Sequence, residues 1–211
     1  MKNMAIRVKI AGVGGQGVQF VGKLLGHSAF SSNLNVSQAV KYEPSTKGGL
    51  TVADITIAKT DEEIVYPFIE NDPDILVIFA QRCWEEFNTI IGKDTMVLVD
   101  ESNVDTAEFE HDKLYSLPFS RIAREEIGSE NVMNVVALGF ISELLDIGGN
   151  YIAKSIERSS PEEAEDHTLL EITPELFEES LVHDSPPRFR EKNLQAFRKG
   201  YELSATMKLT D

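Results

Sequence analysis

Apolar residues recur along the chain with two periods, and the switches between them predict strands alternating with helices. Residues 6–11 form an apolar run of strand length, and Val18, Val21, Leu24, Leu25 and Ala29 then recur at helical spacing. Asn33 and Asn35 mark a turn into a second strand at 35–41. Residues 50–58 alternate through Val52, Ile55 and Ile57, which predicts a third strand. Asp72-Pro73-Asp74 leads into a continuous apolar run, residues 75–80, typical of a strand buried on both faces. A short helix at 84–91 ends at Gly92, and a strand at 96–99 ends at Asp100. A short strand at 113–117 and a helix at 119–127, stopped by Gly128, follow. Asn134 reads as the N-cap of a helix over 135–146, closed by Gly148-Gly149. Short helices are predicted at 151–156 and 174–181, and the last helix, 188–204, carries Leu194, Phe197 and Tyr201 on one side.

This order predicts an α/β fold: a Rossmann-like, doubly wound, mostly parallel sheet with flanking helices and a C-terminal helical extension. Three parts are expected: a Rossmann-like domain over 1–157, an acidic insertion over 158–187, and a C-terminal helix in 188–211 that packs back on the domain. In such a sheet, ligands bind beyond the carboxyl ends of the strands.

Between the first strand and first helix stands Gly12-Val13-Gly14-Gly15-Gln16-Gly17. In that context Gly12 suits a tight turn, Gly14 allows close approach by a ligand or a neighbouring backbone, and Gly17 lets the helix pack closely. The first N–H groups of the helix lack intrahelical partners, and its positive dipole end favours an anion. The same turn also occurs in α/β folds that bind nothing there. A dinucleotide site would carry an acid at the end of the second strand; here that region is Ser37-Gln38-Ala39-Val40-Lys41, with Glu43 beyond it. The NAD reading is weakened and the anion reading survives. A second candidate element is the polar loop Tyr42-Glu43-Pro44-Ser45-Thr46-Lys47-Gly48-Gly49, expected near the same rim.

Composition narrows the choice. The 211 residues suit one α/β domain with appended structure. No apolar run approaches the roughly 20 residues of a membrane span, and residues 1–4 lead directly into the first strand, so a soluble cytoplasmic protein is expected. Net charge is −15, which argues against a nucleic-acid groove. Much of the excess lies in residues 157–186, where ten acids face one base, Arg158. Cys83 is the only cysteine, too few for an iron–sulfur cluster or an internal disulfide, and is expected to be a small buried hydrophobe.

Several fragments in matching order resemble one family. They are residues 10–17, the Tyr42-x-Pro44-x-x-Lys47-Gly48-Gly49 loop, Pro73-Asp74-Ile75-Leu76-Val77, Asn134-Val135-Val136-Ala137-Leu138-Gly139, and residues 193–201, from Asn193 through Phe197 and Gly200 to Tyr201. Together they resemble the gamma subunit, or gamma domain, of 2-oxoacid:ferredoxin oxidoreductases. The chain departs from the family pattern at Lys47, where arginine is usual, and in the longer acidic insertion. The resemblance implies a multi-subunit enzyme that decarboxylates a 2-oxoacid on thiamine diphosphate, sends electrons through [4Fe-4S] clusters to ferredoxin, and passes the acyl group to coenzyme A. It implies that magnesium, thiamine diphosphate and the clusters sit on alpha and beta partners, with a delta chain in some enzymes. This chain has no GDG…NN pattern and would serve assembly and coenzyme A binding, inactive alone; if its partner-facing surface is apolar, a homodimer is expected when it is isolated. The candidate binding residues are Gly12, Gly14, Gly15, Gln16, Gly17, Tyr42, Lys47, Gly48 and Gly49; Lys47 either meets a phosphate-rich ligand or packs against a partner.

The competing reading is a stand-alone nucleotide-binding oxidoreductase that uses the glycine turn. No Gly-Lys-Ser/Thr follows the turn, and Tyr151-Ile152-Ala153-Lys154 falls one residue short of a dehydrogenase Tyr-x-x-x-Lys pair. His27, His111, His167 and His183 show no metal-ligand spacing, so local roles are expected and no metal site is assigned. Asp100 either orients a ligand at the rim or caps the following turn. Glu162, Glu163, Glu165 and Asp166 read as a solvated run.

Overall fold

A computed structural model describes residues 5–43, 49–146 and 172–207. The order is β1 (Ile6–Val13), α1 (Val18–Ser31), β2 (Asn35–Tyr42), β3 (Leu50–Ala58), β4 (Ile75–Ile78), α2 (Gln81–Phe87), β5 (Met96–Asp100), β6 (Leu114–Leu117), α3 (Phe119–Glu125), α4 (Met133–Asp146), α5 (Pro174–Asp184) and α6 (Arg190–Thr206). One six-stranded sheet runs β2-β3-β1-β4-β5-β6.

The sheet is mixed. Strands β1, β4, β5 and β6 are parallel, while β3 is antiparallel to both β1 and β2. The sequence reading of alternating strands and helices missed this hairpin. Only residues 43–49 separate β2 from β3, and a parallel return needs a crossover of a dozen or more residues. Strand β2 is the sheet edge and is largely solvent-facing, with Val40 and Tyr42 exposed. Strand β3 is buried along its whole length.

The two faces are covered unequally. On one, Val8, Ile10, Ile55 and Val77 meet Val21, Leu24 and Leu25 of α1 and the apolar sides of α3 and α4, forming the main core. On the other, Ala11, Leu76, Ile78, Val97 and Val99 pack beneath Cys83 and Trp84 of α2 and Val104. Cys83 is fully buried, and burial pushes its thiol up to about 12, so it behaves as the expected small hydrophobe. Within this second layer lies a buried ion pair, Lys9 Nζ to Asp54 Oδ1 at 2.5 Å, whose second carboxylate oxygen accepts the Ile69 N–H.

Helices α4 and α6 meet backbone to backbone. A Cβ built on Gly139 would lie 1.9 Å from the Phe197 carbonyl oxygen, and one on Gly200 would lie 1.8 Å from that of Val136. Helix α5, predicted at 174–181 inside the acidic stretch, docks through Phe177, fully buried and stacked on Phe197, and through Leu181. Its polar contacts are Ser180 with Ser28 of α1, and a two-pronged Glu178–Arg198 pair with α6. Ile172, just before α5, is also buried; the helix predicted at 151–156 lies outside the described residues. No helix of the described residues is long and apolar enough to cross a membrane.

Candidate functional site

The glycine turn stands at the carboxyl end of β1, beside the end of β2 and the start of β3. Gly12 is not part of the turn: it lies within β1 opposite Thr51, and its missing side chain leaves room for Gln16 and Val18. Gln16 faces inward instead of toward a ligand. Its Oε1 accepts the Val13 N–H at 2.8 Å and its Nε2 donates to the Phe79 carbonyl at 3.0 Å, tying the ends of β1 and β4 together. Gly15 and Gly17 have φ of 96° and 69°, where a side chain is strained.

Gly17 serves as the N-cap of α1, and its close neighbour is α4, not the strand. A Cβ there would lie 2.1 Å from Asn134 Nδ2, which donates to the Gly17 carbonyl at 3.2 Å. Asn134 therefore does not cap α4, as its sequence position suggested. Helix α4 starts one residue earlier, after a 3-10 turn at Glu130–Val132, and the Asn134 side chain reaches across to α1. Asn134 is buried, and its Oδ1 has no hydrogen-bond partner among the described residues.

The turn opens onto a cleft of about 830 Å³ between α1 and β2. Gly14, Gly15, Gly17 and Tyr42 line it, joined by Lys23 and Gln38, with Phe20 and Val40 as apolar wall. Gly49 meets the turn directly, its carbonyl accepting the Gly14 N–H at 3.0 Å, so the described ends of the second loop, Tyr42 and Gly49, stand at the rim of the glycine turn. Lys47 and Gly48 lie outside the described residues. Of the candidates, Gly14, Gly15, Gly17 and Tyr42 converge on the cleft, Gly49 supports it, and Gly12 and Gln16 build the turn from behind. Lys23 and Gln38 were missed. Lys23 is the only Lys or Arg in α1, a signal that was available; Gln38 stands where a dinucleotide site would carry its acid.

The electrostatics favour an anion. Helix α1 has neither a side-chain N-cap nor an acidic residue in its first turn, so its dipole meets the cleft uncompensated. Lys23 adds a cation, and its ammonium also touches Asp184 of α5 at 2.8 Å. A dinucleotide pose is not supported. The strand beside β1 on this side is the antiparallel β3, and Glu43 is exposed and pairs with Arg82 at 3.5 Å. Asp100 accepts the N–H and hydroxyl of Ser120 at 2.8 and 2.7 Å, so it caps the start of α3.

Among the histidines, His111 Nε2 lies 2.7 Å from the Thr95 carbonyl, the local role expected. His27 and His183 are different: separated along the chain, they meet around Asp184.

Comparison with known proteins agrees with this architecture. Residues 7–171 match the family model "Pyruvate ferredoxin/flavodoxin oxidoreductase". The chain is 32% identical over 204 residues to "2-oxoglutarate synthase subunit KorC" of Methanocaldococcus jannaschii, covering 95% of each protein. The fold superposes on a keto/oxoacid ferredoxin oxidoreductase gamma subunit from Geobacter sulfurreducens with a TM-score of 0.71 at 20% identity, covering 95% of this chain and 97% of that one. It also superposes on the 2-oxoglutarate:ferredoxin oxidoreductase of Magnetococcus marinus, solved with 2-oxoglutarate, coenzyme A and succinyl-CoA bound. There the TM-score is 0.67 at 21% identity, over all of this chain and 32% of that one. The chain thus belongs to the pyruvate ferredoxin/flavodoxin oxidoreductase family, and corresponds over its length to the gamma subunit of a multi-subunit 2-oxoacid:ferredoxin oxidoreductase.

Proposed function

We propose that this chain supplies the coenzyme A phosphate site of a 2-oxoglutarate:ferredoxin oxidoreductase complex, with thiamine diphosphate, magnesium and iron–sulfur clusters held by alpha and beta partners that pass electrons to ferredoxin. The observation that carries the reading is the N-terminus of α1, which has no side-chain cap, opening with Lys23 into the cleft at the glycine turn. Coenzyme A is rich in phosphate, and this arrangement offers backbone N–H groups, a helix dipole and one ammonium to such a group. The apolar wall of Phe20 and Val40 suits its less polar portion. The single cysteine, buried with its thiol proton held on, is unsuited to bind a cluster. When bound, coenzyme A would bring the acyl-accepting thiol; the residues here hold and orient its phosphates.

Gly14→Val tests the site with little backbone strain, since Gly14, unlike Gly15 and Gly17, is not at positive φ. Isothermal titration of the assembled complex should show coenzyme A binding weakened about tenfold, roughly 1.4 kcal/mol, with complex formation intact. Unchanged coenzyme A affinity would make the turn purely structural. Tight binding of NAD(H) or NADP(H) by the isolated chain would favour the stand-alone enzyme instead.

A further inference from the structure

The second polar cluster lies where α5 crosses α1. His27 Nδ1 stands 3.0 Å from Asp184 Oδ2, and His183 Nδ1 stands 3.1 Å from Asp184 Oδ1. The two imidazoles meet edge to face with centroids 5.4 Å apart. One ligand atom from each of the three residues falls within 4.8 Å of the others. The Asp184 side chain is only 5% exposed, whereas His27 and His183 are 35% and 75% exposed, so the carboxylate forms the floor and the rings the mouth. Burial alone would raise the Asp184 pKa, but hydrogen bonds from Lys23, His27 and His183 outweigh it and hold the carboxyl well below its usual range.

We infer that His27, His183 and Asp184 form a binding site for a borderline divalent transition ion such as zinc. Two imidazoles and a carboxylate are the donor types such ions prefer, and water completes a four-coordinate shell. Zinc bonds of about 2.0–2.1 Å place neighbouring ligand atoms roughly 3.3 Å apart in a tetrahedron. Each imidazole nitrogen stands close to that spacing from one carboxylate oxygen, His27 from Oδ2 and His183 from Oδ1, so rotation of the rings and of the carboxylate is what brings the three ligand atoms around one ion. The Lys23 ammonium, 2.8 Å from Asp184 Oδ1, competes for the same carboxylate. Its side chain is 61% exposed and free to swing out as the ion enters. A bound ion would clamp α5 to α1.

The test uses the full chain without a histidine tag, stripped with a chelator, and zinc or cobalt as probe. One equivalent of zinc should bind and raise the melting temperature; cobalt should develop the visible absorption of a low-coordinate nitrogen–oxygen site. His27→Gln and His183→Gln should each weaken zinc binding about tenfold or more and abolish the thermal shift. Both should match the wild type in melting temperature when metal-free, which separates loss of a ligand from loss of fold. Lys23→Met should bind zinc at least as tightly as the wild type, because it removes the competing cation. The site is overturned by absence of stoichiometric zinc binding at micromolar concentration, or by binding that survives both histidine substitutions.

Discussion

Gly200→Ala should destabilise the chain by about 2–3 kcal/mol, even though alanine is the better helix former by about 1 kcal/mol. The new Cβ would lie 1.8 Å from the Val136 carbonyl oxygen and 3.0 Å from the Phe140 nitrogen, both backbone atoms that cannot rotate away. Relief requires α4 and α6 to separate, which loosens Phe140, Phe197 and Ala196 together, all buried. Propensity therefore loses to overpacking. Gly139→Ala should act similarly, since its Cβ would lie 1.9 Å from the Phe197 carbonyl oxygen. Thermal melting should read roughly 4–12 °C lower for either variant. An unchanged melting temperature would mean that the two helices do not cross at these glycines.

The buried Lys9–Asp54 pair gives the second large effect. Asp54→Asn removes the countercharge from an ammonium whose side chain is 5% exposed, and breaking such a pair from one side costs about 3–5 kcal/mol. Lys9 also lies 5.2 Å from the centre of the Phe87 ring, a contact too weak to replace the carboxylate. Combining Asp54→Asn with Lys9→Met should recover most of the loss, because the unpaired buried ammonium is gone while an amide oxygen at position 54 can still accept the Ile69 N–H. Urea unfolding of the single and double variants checks this. Equal losses for both would show that the pair contributes through shape instead of charge.

Much of this fold was legible because it rests on local signals. The 3.6-residue period of Val18, Val21, Leu24 and Leu25 named α1, and the unbroken run at 75–78 named a strand buried on both faces. The β2–β3 hairpin was legible only in part. Both strands were predicted, but their antiparallel pairing followed from loop length, a weaker cue than the alternation of elements. Asn134 shows how a local rule is overridden: it stands where an N-cap belongs, yet its amide stabilises the turn before α1. Gln16, Gly139 and Gly200 belong to recognisable fragments, but only the packed structure gives their roles, as a strand tie and two helix contacts. The cation of the cleft, Lys23, and the His27–His183–Asp184 cluster depend on how α1 and α5 meet. His27 and Asp184 are 157 positions apart, beyond any spacing rule.

Reconstitution tests the central claim, that this chain completes a coenzyme A-dependent oxidoreductase without carrying its redox centres. The chain and its alpha and beta partners are purified separately, then assayed alone and mixed for viologen reduction that depends on both 2-oxoglutarate and coenzyme A. Activity is expected only when the chain joins its partners, with Gly14→Val raising the KM for coenzyme A more than it lowers kcat. Turnover by the isolated chain, or full coenzyme A-dependent turnover by partners lacking it, would contradict the claim.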